Sequence, residues 1–229
     1  MPDFSKFETR IGHQFKNQRL LETAFTHRSY INEHRELGRE HNERLEYLGD
    51  AVLELVVSEF LFVKYPDKPE GDLTAYRAAL VNTQSISEAA QKLGMNEFLL
   101  LSRGESKDTG RARQIILANA FESLIGALYL DQGYQAARDF IGKQLFHKTD
   151  DVVARRLWQD AKSRLQELAQ EKHGITPSYQ LVDQSGPDHD KTFIVGAYIG
   201  TEKIALGEGR SKQEAEQAAA EKALAAKGW

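Results

Sequence analysis

Asn42-Glu43-Arg44-Leu45-Glu46-Tyr47-Leu48-Gly49-Asp50-Ala51-Val52-Leu53 opens a long apolar-periodic run that reads as one helix and stops before Pro66. At about 100° per residue, Glu43, Glu46 and Asp50 fall on one side of it. Leu45, Leu48, Val52 and Val56 fall on the other, giving a core face and an acidic face. Carboxylates crowded in a partly dry place repel each other and lose hydration, so they want a cation or a proton. An ordinary amphipathic helix with a solvated acidic side explains three carboxylates equally well, so a second acidic helix is needed. Ile115 to Asp131 supplies a candidate, with Asn119 and Glu122 three residues apart on one face and Phe121, Leu124 and Leu128 elsewhere. If the two helices pack face to face, Glu46, Asp50, Asn119 and Glu122 form an all-oxygen cluster suited to a hard cation such as Mg²⁺ or Mn²⁺.

The chain has 229 residues, room for one large domain or for a medium and a small one. No stretch is apolar for long enough to span a membrane, and no apolar segment follows a basic start as in a signal peptide. The absence of cysteine excludes a disulfide scaffold and a thiolate metal site. A soluble, cytoplasmic protein is expected. A net charge of −4 argues against broad electrostatic attraction to nucleic acid, so any RNA binding must use local basic patches.

Residues 1–40 read as helical, with breaks at Gly12 and Asn17, and Asn32 to His41 reads as a loop. After Pro66 comes a turn-rich linker over Asp67 to Asp72, then a helix from Leu73 to Leu93. Ser102 to Arg113 is glycine-punctuated, polar and basic. Gly133 ends the second acidic helix, and Tyr134 to Phe146 forms another. The composition changes at 147–158. Beyond it, a helix over Asp160 to His173 precedes strands at Ser178 to Val182, Thr192 to Ile199 and Lys203 to Glu208. An alanine-rich helix over Ser211 to Ala226 buries Ala215, Ala218, Ala219 and Ala223.

The Asn42 to Leu53 stretch resembles the signature helix of bacterial ribonuclease III, the endonuclease specific for double-stranded RNA. The α-β-β-β-α order at the C-terminal end resembles a double-stranded-RNA-binding domain. Its matching motifs are Ser163 to Glu167, Gly186-Pro187-Asp188-His189 and Gly207 to Lys212. The resemblance covers nearly the whole chain. It implies an all-α nuclease domain over 1–149, a linker over 150–158 and a small α+β RNA-binding domain over 159–229.

The family likeness implies metal-assisted phosphodiester hydrolysis, with two Mg²⁺ ions roughly 3.5–4 Å apart activating water and stabilising the leaving oxygen. Mn²⁺ could substitute, and no organic cofactor is implied. Glu46, Asp50, Asn119 and Glu122 are the expected ligands, Asp50 and Glu122 the expected catalytic residues, and Glu43 and Glu70 second-tier cleft residues. Products would carry 5′-phosphate and 3′-hydroxyl ends, and substrates would be ribosomal and other structured precursor RNAs. A homodimer through the nuclease domain would cut both strands, with Tyr47, Leu48 and Val52 as a dimer surface or as plain core. Arg103, Lys107, Arg111 and Arg113 would meet phosphates near the cleavage site, or belong to a plain surface loop.

Duplex RNA is read through shape, phosphates and 2′-hydroxyls. Gln166 would reach one minor groove and Pro187 and His189 the next, while Arg210, Ser211 and Lys212 at the last helix's positive end would meet phosphates between them. Glu214 and Glu216 follow where many such domains carry lysine, which weakens the expected affinity. The main departure is Asn119, where most family members carry aspartate. It reads as natural variation with activity retained, as an engineered change, or as the mark of a duplex-RNA-binding protein that cuts weakly or not at all.

Overall fold

Asp3 starts the first helix by accepting the Ser5 amide at 3.2 Å, and α1 (Phe4–Ile11) ends where Gly12 turns left-handed at φ 73°. The computed structural model describes residues 2–154, 160–187 and 191–229. After α1 come α2 (Gln18–Ala24), α3 (Arg28–Glu33), α4 (Glu43–Lys64), α5 (Glu70–Val81), α6 (Thr83–Lys92), α7 (Arg111–Gln132), α8 (Tyr134–Leu145) and α9 (Thr149–Ala154). Next come α10 (Ala161–His173), β1 (Ser178–Ser185), β2 (Thr192–Ile199), β3 (Glu202–Gly209) and α11 (Lys212–Lys227). The chain divides into two compact units, Met1–Trp158 and Gln159–Trp229. The first is all-α and the second α+β, the fold class read from the sequence.

In the first unit, α4 and α7 are the central pair. Leu53, Val56, Val57 and Leu61 of α4 pack into one core with Leu117, Phe121, Leu124 and Leu128 of α7. A cluster of Phe4, Phe7, Phe25 and Phe98 closes one end, with ring centroids 4.8–6.1 Å apart. No helix among the described residues is long and apolar enough to cross a membrane.

Three expectations change here. The helix expected over Leu73 to Leu93 is two helices, because Asn82 leaves the helical conformation (ψ 158°) and its side chain accepts the Ser85 amide at 2.8 Å. That cap starts α6 at Thr83. The linker expected over 150–158 opens as helix: Lys64 Nζ lies 2.6 Å from Asp150 Oδ1, and Val152 joins the core. Residues 155–159 lie outside the described residues. Val52, placed on a possible dimer surface, is 6% exposed and packs inward, whereas Tyr47 is 82% exposed.

In the second unit the three strands pair antiparallel in the order β1-β2-β3, with Ala197 opposite both Tyr179 and Ala205. Both helices pack on one core built from Leu165, Ala169, Ala197, Ile199, Ala219, Ala223 and Leu224. The small side chains of α11 bring its backbone against β3, where a Cβ on Gly207 would overlap Ala215 O and Ala219 N. Ala220, rather than Ala218, completes the buried stripe of α11.

Candidate active site and RNA interface

Two glycines set the acidic site. A Cβ on Gly49 of α4 would overlap the Glu122 carbonyl oxygen and stand 2.9 Å from Gly126 N; a Cβ on Gly126 of α7 would overlap Leu45 O. The two backbones therefore touch, and the residues flanking the crossing are brought face to face. Asn42, 3% exposed, pins the start of α4: its amide donates to Thr26 O at 2.9 Å and its Nδ2 to Ala24 O at 3.3 Å. Ser123 Oγ lies 2.7 Å from Asn119 O and 3.3 Å from Asn42 O, tying the same point to α7.

Across this crossing Glu46 and Asp50 are near enough for their charges to act on Glu122, and Asn119 acts on Glu46. Burial, then the charges of Asp50, Glu46 and Glu54, push the Glu122 carboxyl from 4.5 up to about 8. Glu46 is also raised, by burial first and then by Glu43 and Asp50, and is eased by a hydrogen bond with Asn119. Because a carboxylate can only accept, the Asn119 amide is the donor. Asp50 is exposed.

Glu54 was not among the expected site residues, although Glu46, Asp50 and Glu54 recur at four-residue spacing, which is a helical face. Its carboxylate is held 2.6 Å from Arg77 Nε, and Arg77 also donates to Ser58 Oγ at 2.8 Å. The two second-tier residues differ: Glu43 is, after burial, the strongest influence raising Glu46, and Glu70 acts on neither raised carboxyl. Glu43 is exposed beside Arg28 (3.5 Å) and His41 (3.7 Å). Glu70 opens α5, exposed, accepting from Thr74 Oγ1 at 3.1 Å, and its charge is not among those acting on Glu46 or Glu122.

Among the described residues no three His, Cys, Asp or Glu side chains converge closely enough to form a ready cage for an ion. The donor set nonetheless fits a hard divalent cation: every donor is oxygen, and Glu122 is driven to hold a proton first by burial and then by neighbouring charges that a cation would neutralise.

The basic loop is better ordered than its composition suggests. Arg113 donates to Asp108 O (3.1 Å), Asn96 Oδ1 (3.0 Å) and Glu105 O (2.6 Å), so its guanidinium ties the loop together. Arg103 and Lys107 are exposed.

In the second unit Gln166 is exposed on α10, and Arg210, Ser211 and Lys212 are exposed at the start of α11. Ser211 Oγ accepts the Glu214 amide at 3.1 Å while Glu214 Oε2 accepts the Arg210 amide at 3.0 Å, a reciprocal cap. Pro187 is exposed, and His189 lies outside the described residues.

Comparison with known proteins agrees with both halves. Residues 17–149 match the family model described as Ribonuclease-III-like, and residues 161–227 match the Double-stranded RNA binding motif. Relatives named Ribonuclease 3 include that of Bacillus licheniformis, 48% identical over 97% of this chain and 89% of its own. The Ribonuclease 3 of Enterococcus faecalis is 46% identical over 96% of this chain and 95% of its own. The nuclease domain of Campylobacter jejuni ribonuclease III superposes with a TM-score of 0.56 at 40% identity, covering 62% of this chain and 98% of that one. The two halves thus define a nuclease unit joined to a duplex-RNA-binding motif. The chain belongs to the ribonuclease III family and is an endoribonuclease of that type.

Proposed function

We propose that the crossing of α4 and α7 is where this chain hydrolyses double-stranded RNA, with Mg²⁺ as its natural ion and Mn²⁺ able to replace it. The observation that carries this reading is the glycine crossing of α4 and α7, which brings Glu46 and Asp50 close enough to Glu122 for their charges, with its burial, to raise its carboxyl to about 8. Glu46, Asp50, Asn119 and Glu122 would hold the ion, which supplies charge neutralisation and an activated water for attack on phosphorus. Asp50, the exposed member, meets the scissile phosphate's side of the site. The Asn119 amide, which eases the raised Glu46 carboxyl, would steady that carboxylate at the crossing. Arg77 holds Glu54 in a separate ion pair, which keeps a fourth carboxylate from competing for the same place. Glu43, whose charge reaches Glu46, and the exposed Glu70 at the start of α5 would be second-tier residues of the cleft.

Gln166, Pro187, His189 and the Arg210–Lys212 corner would hold the duplex by its grooves and phosphates. Products would carry 5′-phosphate and 3′-hydroxyl ends, and the substrates would be ribosomal and other structured precursor RNAs in the cytoplasm. The nuclease unit would work as a homodimer. Support comes from the exposed apolar side chains on α4: Tyr47 at 82%, Leu55 at 58% and Phe62 at 72%. The Campylobacter jejuni nuclease domain is described as having a region involved in dimer formation.

Asn119 favours a second reading, a duplex-RNA binder that cuts weakly. Incubating long duplex RNA and Mg²⁺ with the wild type, Asn119→Asp and Glu122→Ala separates the two. The wild type is expected to cut, leaving ends that a 5′-phosphate-dependent exonuclease accepts, and Glu122→Ala to bind without cutting. Wild type that binds without cutting, beside an Asn119→Asp that cuts, favours the second reading. Normal cutting by Glu122→Ala removes the site assignment.

A further inference from the structure

Glu214 and Glu216 lie in the first turns of α11, next to the corner proposed to hold phosphates. By charge alone both should oppose RNA. Glu214 is the acid of the reciprocal cap at Ser211. Glu216 is engaged elsewhere: its Oε2 lies 2.6 Å from Lys162 Nζ, in the first turn of α10. The same ammonium sits 5.1 Å from the centroid of the Tyr179 ring on β1, and the Tyr179 hydroxyl is buried with no hydrogen-bond partner. The pair is partly sheltered, with the Lys162 side chain 36% exposed and that of Glu216 29%. One contact therefore joins the starts of α10 and α11 to the sheet beneath them.

Lys162 is four residues before Gln166, on the same side of α10, and Glu216 is four residues after Lys212 in α11. Each partner of the ion pair thus stands one helical turn from a proposed RNA contact. Duplex RNA is a stiff ligand with a set spacing between its minor groove and the phosphates across the major groove. Both contacts engage together only if the two helices are held at that spacing.

We propose that the Lys162–Glu216 pair is a spacing lock that holds α10 and α11 at the separation duplex RNA requires, so that Glu216 is a positioning residue for RNA and not a repelling charge. The inference rests on the contact assignments proposed above for Gln166 and the Arg210–Lys212 corner. It predicts the opposite sign from simple electrostatics. Removing an acid beside a phosphate-binding corner should tighten binding if charge decides, and should loosen it if spacing decides.

The test is duplex-RNA binding by the full chain in chelator, where binding is read without cleavage, with a melting curve for each variant. Glu216→Gln is expected to bind a duplex of about 20 base pairs roughly three- to tenfold more weakly than wild type. On a duplex of about eight base pairs, too short for both contacts, the ratio should fall to about one. The exchange Lys162→Glu with Glu216→Lys should restore long-duplex affinity to within about twofold. Lys227→Ala, which breaks the 3.3 Å pair with Glu202 in the same unit, serves as a control for the loss of an ion pair and should leave affinity unchanged. If Glu216→Gln destabilises the unit, the exchange variant decides, since recovery of melting without recovery of affinity overturns the lock. Equal or tighter long-duplex binding by Glu216→Gln, while Gln166→Ala and Lys212→Ala weaken it, overturns the lock and leaves the contacts standing. Unchanged binding by Gln166→Ala and Lys212→Ala overturns the contact assignments, and the lock with them.

Discussion

Glu122 holds a proton that an ordinary carboxyl would lose, because burial and the charges of Asp50, Glu46 and Glu54 raise it to about 8. The folded, metal-free protein keeps this proton where the unfolded chain has released it. That stabilising contribution is fully present below 4.5 and is lost as pH rises through about 8. Glu122→Gln should remove most of the fall between about pH 5.5 and about pH 8.5 in chelator, leaving the smaller part due to Glu46, while the wild type loses on the order of 2 kcal/mol. Adding Mg²⁺ at the higher pH should restore the wild type and leave the variant unchanged. Asn119→Asp puts a fourth carboxylate at the crossing and takes away the amide that donates to Glu46. It should lower the metal-free melting temperature and tighten Mg²⁺ binding, which a melting series against Mg²⁺ reads. Side-chain identity showed which oxygens are available, but not how they are occupied. Glu54 lay in plain view at helical spacing from Asp50, yet its ion pair with Arg77 joins residues 23 positions apart that only packing brings together. Arg113 is similar: charge alone left open a phosphate contact or a plain loop residue, and its bonds to Glu105 and Asp108 in the loop and to Asn96 before it cannot be read from charge.

The two central helices work as a pair because each carries a glycine where the other's backbone passes. Gly49→Ala should force α4 away from α7 and cost about 3 kcal/mol, measured by urea unfolding, because the added carbon meets main chain that cannot rotate aside. Gly71→Ala makes the contrast: this glycine sits inside α5 with nothing within 4 Å of a built Cβ, and alanine should stabilise by up to about 1 kcal/mol. The signature helix was legible nearly to its ends, since its apolar period and Pro66 bound it, and it runs from Glu43 to Lys64. The break at Asn82 was not legible. The apolar pattern continues through Leu80, Val81 and Ile86, and only the capping bond to Ser85 shows where one helix stops and the next begins. In the second unit, β2 was read at its observed bounds, Thr192–Ile199, and Val195, Ala197 and Ile199 are buried on the face expected, although Gly196 between them is buried too.

At the scale of the whole molecule, the acidic composition and the RNA-facing role are reconciled by separation. Carboxylates gather at the α4/α7 crossing of one unit, and Arg210 and Lys212 stand at the start of α11 in the other. The exposed stripe on α4 is the surface proposed above to meet a second copy. Tyr47→Glu should weaken dimerisation at least about tenfold in sedimentation equilibrium and reduce cutting of both strands, with the metal-free melting of the nuclease unit little changed. The central claim is that divalent ions are held where α4 crosses α7. It is tested most directly by an anomalous-scattering map of crystals grown with Mn²⁺ and a non-cleavable duplex RNA. Peaks bridging Glu46, Asp50 and Glu122 beside a backbone phosphate are the predicted result. Mn²⁺ held at other residues, with these three carboxylates ligating nothing while the RNA phosphate lies elsewhere, would contradict it.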